Sequence, residues 1–429
     1  MIFRRLGAAA VAAATLAFAS PAFAVTEIQW WHAMTGANND VIVKLATDFN
    51  ASQSDYKVIP TYKGGYADTM NAGIAAFRAG NAPHIMQVFE VGTATMMAAT
   101  GAVKPVYKLM ADAGEKFDPS VYLPAITGYY STSKGEMLSF PFNSSSTVMW
   151  VNLDALKKAN IAEIPKTWPQ VFEDAKKLKA AGKPAGFALG NAVGDGNGFA
   201  NWLLWSHNAA LLDEEGNIII NSRETIAALK YLKELYPTFI AGTPSWNDVS
   251  NNRAYSSQEI GLTANGVSLY FSLKNDPATK AVADDTEHQF LPKGLASTSP
   301  MSGLTLNAMV FKHSPYPNAA KALLQFMLEK EQYEPWLNAN SGYWSQPLAA
   351  YANAAVWSSD PKVAIFKDTM RSPYYNGYKG PISTATGAVN ADYVLVQMCA
   401  SVATDAAKPE AAAAEAEQRA KRYFRRQGR

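Results

Sequence analysis

The chain has 429 residues, of which 48% are hydrophobic, 17% charged and 11% aromatic, a composition that excludes a disordered, collagen-like or coiled-coil protein. Lys and Arg number 38 and Asp and Glu 36, so the formal net charge is +2 and general affinity for nucleic acid or anionic membranes is not expected. At about 100–200 residues per domain, this length predicts two or three lobes with substantial hydrophobic cores.

The N-terminus predicts export from the cytoplasm. Arg4 and Arg5 form a short basic start, residues 6–19 are apolar and rich in alanine, and Ala22 and Ala24 are the small residues that a signal peptidase reads. The apolar run is shorter than the roughly 20 residues that a membrane span needs. We therefore expect cleavage after Ala24 and, in a Gram-negative organism, a periplasmic protein.

The first part of the mature chain alternates strand and helix patterns. Strands are expected at Glu27–Trp31, Lys57–Tyr62 and His84–Phe89, and the residues between them carry apolar side chains at helical spacing. Such alternation predicts a largely parallel sheet covered by helices. In sheets of this kind, ligands bind at the C-terminal ends of the strands, close to the N-termini of helices.

Two changes in the pattern predict crossings between lobes. The chain becomes polar at Asn143–Ser146 before a strand at Thr147–Val151, and a second crossing is expected at Ser302–Gly303 before a strand at Thr305–Phe311. The second lobe is expected to be mostly helical. Its predicted helices are Trp168–Lys179, Phe199–Leu212 and Ser222–Tyr236, and a further helix is predicted at 409–425.

Familiar catalytic and metal-binding motifs are absent from the sequence. It contains no His-Glu-x-x-His, no Gly-x-Ser-x-Gly and no phosphate-binding glycine-rich loop, and its five histidines are scattered without ligand spacing. We therefore expect no enzymatic activity, no cofactor and no metal, although two glycosidase carboxylates facing each other across a cleft stay open as an alternative. The one cysteine, Cys399, cannot form an intramolecular disulfide and is expected to be a small buried apolar residue.

Four runs of sequence resemble one known family. These runs, Trp30–Met34, Pro60–Tyr66, Ala72–Pro83 and Gln87–Ala98, are similar to the periplasmic sn-glycerol-3-phosphate-binding proteins of ABC importers. That family belongs to the extracellular solute-binding proteins that also include the maltose-binding protein. The close resemblance covers roughly residues 25–180, and beyond about residue 185 it is to the wider family alone.

The resemblance implies an α/β fold of the two-lobe, maltose-binding-protein-like type. Crossing strands join the lobes, and the ligand binds in the cleft between them, which closes by hinge motion. The implied division is a signal peptide at 1–24, a first lobe at 25–143 plus 303–346, and a second lobe at 144–302 plus 347–429. The implied partners of such a monomer are a small-molecule ligand and the inner-membrane permease subunits.

Two first-lobe residues match ligand-binding positions of the family. Tyr66 follows a Gly-Gly turn at a predicted helix start, where a phenol can stack on a ligand and donate its hydroxyl. Glu90 ends the third predicted strand and can accept hydrogen bonds from adjacent ligand hydroxyls. The structural alternatives are a surface tyrosine and a salt-bridged glutamate.

Three further residues are candidates, two at the crossings and one by its match to the family. Ser145 offers a hydroxyl and backbone N–H groups that suit a phosphate or a hydroxyl. Gly303 lets the backbone approach a ligand closely, and Tyr343 matches a ligand tyrosine of the family. The structural alternatives are a polar hinge, a strand-entry turn and core packing, respectively. Trp202 and Trp205, three residues apart on a predicted helix, either line the cleft or pack in the core.

The second lobe departs from the glycerol-phosphate pattern. Where the family carries an aromatic pair this chain reads Gly190–Gly196, and no arginine stands in Gly377–Ile382, where the family has one that can grip phosphate bidentately. Lys379 or Arg371 is a less specific substitute. The expected function is therefore capture of glycerol 3-phosphate or a related polyol or sugar for an ABC importer. The alternatives are a plain carbohydrate-binding protein or, less favoured, a secreted carbohydrate-active enzyme.

Overall fold

The computed structural model describes residues 25–34, 37–64, 66–89, 103–104, 140–295, 303–311, 314–339, 353–369, 377–380 and 383–427. In these residues the chain forms nine strands that belong to two sheets. The strands are Thr26–His32 (β1), Tyr56–Tyr62 (β2), Ile85–Phe89 (β3), Val103–Lys104 (β4), Phe140–Ser146 (β5), Val148–Asn152 (β6), Leu262–Asn265 (β7), Thr286–Gln289 (β8) and Gly303–Phe311 (β9).

Fifteen α-helices lie in the same described ranges. They are Ala37–Ser52 (α1), Tyr66–Arg78 (α2), Leu153–Lys158 (α3), Trp168–Ala180 (α4), Asp195–Ser206 (α5), Arg223–Leu235 (α6), Ser250–Ser256 (α7), Ser268–Asn275 (α8), Lys280–Asp284 (α9), Pro317–Leu328 (α10), Lys330–Ala339 (α11), Val356–Ser359 (α12), Thr384–Ala391 (α13), Val394–Ala403 (α14) and Pro409–Gln427 (α15). Short 3-10 helices occur at Tyr236–Thr238, Thr243–Ser245 and Ala364–Asp368.

The larger sheet has the strand order β2-β1-β3-β9-β4, and β5 also pairs with β9. β1 runs parallel to β2 and to β3, as the strand and helix alternation predicts. β9 runs antiparallel to β3, β4 and β5. The prediction of a largely parallel sheet is therefore confirmed for β1, β2 and β3 and wrong for the strands that pair with β9. β9 returns from a distant part of the chain, and no strand–helix–strand unit sets its direction.

The chain passes between the two sheets at a single residue. β5 ends at Ser146 and β6 begins at Val148, so Thr147 alone separates a strand of the larger sheet from a strand of the smaller one. The smaller sheet has the order β7-β6-β8, and both of its pairings are antiparallel. Ser146 pairs with Gly303, the first residue of β9, so the outgoing strand lies beside the returning strand.

Apolar side chains cover both faces of the larger sheet. Ile28, Trp30 and Ile85 are fully buried on one face, in a cluster that includes residues of α1 and α10. Met86 and Met309 are fully buried on the other face, against residues of α2. This division follows from the alternation of side chains along a strand. The strands predicted near residues 27–31, 57–62 and 84–89 are confirmed to within one residue at each end.

The second hydrophobic core is rich in aromatic rings. Trp168 stacks on Trp202 at 4.3 Å between ring centroids, and Phe187 stacks on Phe199 at 5.0 Å. α4 begins at Trp168 because the Thr167 side chain accepts the backbone N–H of Gln170, whose own side chain accepts the backbone N–H of Thr167. The first turn of α4 is thus fixed by a capping box.

The helix predicted at Phe199–Leu212 is wrong at both ends. α5 begins four residues earlier, at Asp195, and ends at Ser206. It ends there because Asn208 adopts a left-handed conformation, with φ of 61°, which asparagine tolerates better than most residues. Leu212 instead forms an isolated bridge with Ile218. The helices predicted at 168–179, 222–236 and 409–425 are confirmed within two residues at each end.

The C-terminal helices pack on the second core. Cys399 lies fully buried there, as expected, and burial raises the pKa of its thiol to about 12. On α15, Arg419 donates to the Gln397 side chain at 2.6 Å and to the backbone carbonyl of Asp392 at 3.1 Å. Among the described helices, none combines the length and the apolar character needed to cross a membrane.

Buried histidines predict a stability that declines in acid. Burial lowers the pKa of His32 and of His288 to about 4, and it also lowers the pKa of His207. In the unfolded chain a histidine binds its proton near pH 6.5. Because the unfolded state then holds more protons, stability present above about pH 6.5 is lost as the pH falls toward 4, by up to about 1.4 kcal/mol per pH unit for each such histidine.

Urea unfolding followed by tryptophan fluorescence at a series of pH values checks this prediction. His288 donates from Nδ1 to the carbonyl of Lys362 at 2.7 Å, and its ring lies 4.3 Å from that of Trp150. We expect His288→Gln to show a shallower loss of stability between pH 6.5 and 4 than the wild type. Equal slopes for the two proteins would contradict the assignment.

Candidate functional site

The C-terminal ends of the parallel strands point toward the crossing segments. The register pairs Phe89 at the end of β3 with Leu306, and it pairs Ser146 with Gly303. Three further residues of β9, 303–305, therefore extend past the end of β3, on the same side of the sheet. The backbone thus brings the ends of β1, β2 and β3 and the two crossings to one edge of the larger sheet.

The predicted site residues fall at this edge where the structure describes them. Tyr66 is the first residue of α2, directly after β2 and its turn. Ser145 pairs with Leu304, one position before the pair of Ser146 with Gly303. Glu90 immediately follows β3 but lies outside the described residues, as does Tyr343.

The two tryptophans of α5 are buried. Trp202 is fully buried against Trp168, and its indole N–H donates to the carbonyl of Pro292 at 3.4 Å. This contact favours the core-packing alternative for Trp202. Trp205 is also buried, and its ring lies 6.1 Å from that of Tyr378. The adjacent residue, Lys379, is exposed.

A carboxylate that sequence reasoning missed holds the start of α5. Asp248 accepts the backbone N–H groups of Val193 at 2.8 Å, Gly194 at 2.8 Å and Asp195 at 3.0 Å. An anion in this position satisfies backbone donors that the helix leaves unpaired and interacts favourably with the helix dipole. The sequence offered only an indirect signal, the glycine-rich run at 190–198.

Asp195 lies beside this carboxylate and is electrostatically unfavourable when ionised. Burial, reinforced by the negative charge of Asp248, raises the pKa of Asp195 well above its usual range, and a side-chain hydrogen bond with Asn251 opposes the shift. Asn251 is itself buried and donates to the carbonyl of Ala264 at 3.3 Å. Hydrogen bonds through the Asn251 amide therefore connect the Asp195 carboxyl group to Ala264 in β7.

The polar side chains of Asp195, Asp248 and Asn251 lie near Thr147, the residue that joins β5 to β6. Asn265, the last residue of β7, pairs with Val148, and its side chain donates to that of Asn252. A Cβ atom added to Gly198 in α5 would lie 3.9 Å from Oγ1 of Thr147. The first turn of α5 and the end of β7 therefore flank Thr147. Their hydrogen-bonding groups are those of carboxylic acids and amides, which suit hydroxyl groups.

No group of three or more His, Cys, Asp or Glu side chains in the residues that the structure describes is arranged to hold a metal ion.

The sequence profile of the bacterial extracellular solute-binding proteins matches residues 44–365. The chain belongs to this family. The matched range includes strands of both sheets and both crossings. This chain is also 52% identical, over 196 residues, to the sn-glycerol-3-phosphate-binding periplasmic protein UgpB of Brucella abortus. That alignment covers 45% of this chain and 43% of the relative, so the chain matches less than half the length of that protein.

Solved structures show the same two-lobe, maltose-binding-protein-like fold for this solute-binding protein. The GacH receptor of Streptomyces glaucescens, solved unliganded and with acarbose, superposes with a TM-score of 0.78 and 16% identity over 94% of this chain and 99% of that one. An ABC-transporter solute-binding protein of Agrobacterium vitis with bound D-mannitol gives a TM-score of 0.76 and 18% identity over 94% and 99% of the two chains. The two-lobe prediction is confirmed.

Removal of the Asp248 carboxylate is expected to destabilise the start of α5 and with it the folded protein. Asp248→Ala leaves three backbone N–H groups at the start of α5 without their acceptor, which we expect to cost about 1 kcal/mol, as loss of a helix cap does. Urea unfolding at neutral pH measures the change. Glu214→Ala, at an exposed turn, is the matched control and should leave stability unchanged. Equal stability of the two variants would contradict the capping role.

Proposed function

We propose that this protein is the periplasmic solute-capturing component of an ABC importer. The observation that carries the proposal is the family match over residues 44–365, which includes strands of both sheets and both crossings. A protein of this kind binds its solute, closes, and presents the closed form to the membrane permease, so it performs no chemistry of its own. Export with cleavage after Ala24 and a monomeric state are parts of the same proposal.

The crossings supply the hinge in this proposal. Because Thr147 alone joins β5 to β6, a change of its backbone angles moves the smaller sheet relative to the larger one. The returning strand begins at Gly303, directly beside Ser146, so one narrow region carries both connections. Closure then brings the first turn of α5 and the end of β7 toward the edge where β1, β2 and β3 end.

The two lobes have separate roles in recognition. In the first lobe, Tyr66 stacks on the solute and Glu90 accepts hydrogen bonds from its hydroxyl groups. Ser145 and the backbone at Gly303 contact it from the crossings, and Tyr343 contributes a second phenol. The division into a first lobe at 25–143 plus 303–346 and a second lobe at 144–302 plus 347–429 belongs to this proposal.

The proposed solute is glycerol 3-phosphate or a related polyol or sugar. Similarity to the glycerol-3-phosphate-binding protein of Brucella abortus supports the first, and the fold shared with a protein that holds D-mannitol is compatible with the second. The groups beside Thr147 favour an uncharged polyol or sugar. Asp248 places a carboxylate there, and a carboxylate repels phosphate but accepts hydrogen bonds from hydroxyls.

Calorimetric titration of residues 25–429 tests the proposal. The titrants are sn-glycerol 3-phosphate, glycerophosphocholine, D-mannitol and maltose. We expect one of them to bind, and we expect Glu90→Gln to weaken that binding about tenfold, which corresponds to about 1.4 kcal/mol, because a ligand hydroxyl loses a charged acceptor. Tyr66→Phe should also weaken it.

Glu214→Gln, which removes the same charge from an exposed turn, is the control and should bind as the wild type does. Failure of the wild type to bind any compound of the panel, or equal affinity of Glu90→Gln, would contradict the proposal. Turnover of a glycoside that Glu90→Gln abolishes would instead establish the carbohydrate-active enzyme.

A further inference from the structure

We propose that His32 and Gln87 together bind one hydroxyl group of the solute, at the edge where β1 and β3 end. This inference rests on the proposed function and adds two recognition residues to it. It also specifies the chemistry that they recognise, a group that both donates and accepts a hydrogen bond.

The first observation is that two buried side-chain atoms lack hydrogen-bond partners, while the His32 ring also has a hydrogen bond with the backbone of Met34. His32 is 1% exposed and Gln87 is 0% exposed. Nδ1 of His32 and Nε2 of Gln87 are buried and have no hydrogen-bond partner among the residues that the structure describes. A buried polar atom without a partner is costly, and folded proteins rarely leave one so. Two such atoms on neighbouring strands therefore call for a common explanation.

The second observation is the register of the two strands. Trp30 pairs with Ile85 and Trp31 with Met86 in the parallel ladder, so the next position places His32 level with Gln87. Because side chains alternate along a strand, both lie on the face that carries Trp30 and Ile85. Neighbouring strands are about 4.8 Å apart. The two side chains are therefore neighbours in one row across the sheet.

A hydrogen bond from the backbone of Ala33 fixes the orientation of the Gln87 amide. The backbone N–H of Ala33, just after β1, donates to Oε1 of Gln87 at 3.3 Å. The carbonyl end of the amide is therefore occupied, and the NH2 end, Nε2, is the end with hydrogen atoms left to donate. A group that binds there must accept a hydrogen bond.

The next side chain in this row, that of Tyr62, is partly exposed to solvent. The ring of His32 lies 6.1 Å from that of Tyr62, at the end of β2, and Tyr62 is 47% exposed. Tyr66 begins α2 four residues later, and Glu90 follows Gln87 by three residues. The buried pair thus lies at the edge where β1, β2 and β3 end, beside the start of α2.

A hydroxyl group is the chemistry that fits the pair. Burial lowers the pKa of His32 to about 4, so the ring is neutral at pH 7 and one of its nitrogens donates while the other accepts. A hydroxyl can accept from Nε2 of Gln87 and complete Nδ1 of His32 in either tautomer. A phosphate oxygen without a proton accepts only, so it satisfies the pair in one tautomer alone.

The experiment compares solutes with and without single hydroxyl groups. The probes are sn-glycerol 3-phosphate and D-mannitol, each titrated beside its monodeoxy analogues, against the wild type and Gln87→Glu. Gln87→Glu retains an oxygen for the Ala33 N–H and removes the NH2 donor. We expect one deoxy analogue to bind the wild type about tenfold more weakly than its parent compound, and Gln87→Glu to reduce that ratio to near one.

An unchanged ratio in Gln87→Glu would overturn the inference, since the hydroxyl would then be bound elsewhere. Failure of the wild type to bind either parent compound, and also glycerophosphocholine and maltose, would count against the proposed function instead. In that case a second measurement decides the inference: the melting temperature of His32→Phe without any solute.

If His32 serves the solute, His32→Phe melts close to the temperature of the wild type, because the apolar ring removes an unpaired buried nitrogen and this offsets the lost hydrogen bond with the backbone of Met34. A clear drop in melting temperature would mean that the histidine is a structural residue, and it would overturn the inference. His84→Phe is the matched control and should melt lower, because His84 accepts the backbone N–H of Gln29 at 2.9 Å through Nδ1.

Discussion

The antiparallel pairing of β5 with β9 is the interaction on which the rest of the architecture depends. β5 carries the chain out of the larger sheet and β9 brings it back, and the pair of Ser146 with Gly303 holds the two connections side by side. β9 also pairs with β3 and β4, so a strand from late in the chain lies between strands from its first part in the larger sheet. In the proposed function, this two-strand connection is the hinge about which the smaller sheet turns relative to the larger one.

Local patterns predicted the first three strands because each is an alternating or apolar run bounded by turn residues. β1, β2 and β3 were therefore placed to within one residue at each end. The direction of β9 could not be predicted in the same way, because it is set by pairing with β3, β4 and β5, whose residues lie more than 150 positions earlier in the chain. The end of α5 was also missed, since the left-handed conformation of Asn208 is a choice among several that the sequence permits.

The candidate site shows the same limit. The sequence placed Tyr66, Ser145 and Gly303 at strand ends and crossings, and the backbone brings these positions to one edge. It gave no direct sign of Asp248 at the start of α5, nor of the amide of Gln87 on the N–H of Ala33. Hydrogen bonds between residues more than fifty positions apart leave no local pattern. Glycine-rich runs mark where such contacts occur but do not identify the partner.

The two sides of the site differ in chemical character. The first-lobe edge combines a proposed stacking tyrosine and glutamate with a buried imidazole and amide. The side beside Thr147 combines the carboxyl groups of Asp195 and Asp248 with the amide of Asn251. Both sides offer hydrogen bonds to hydroxyl groups, which agrees with a polyhydroxylated solute held between two lobes that close on it.

Small-angle X-ray scattering tests the central claim, closure of two lobes on a solute, most directly. Scattering from residues 25–429 would be recorded without solute and with a solute that calorimetry shows to be bound at saturation. The account predicts a smaller radius of gyration in the bound state, because rotation about the paired crossings brings the lobes together. Identical scattering at full occupancy would contradict it.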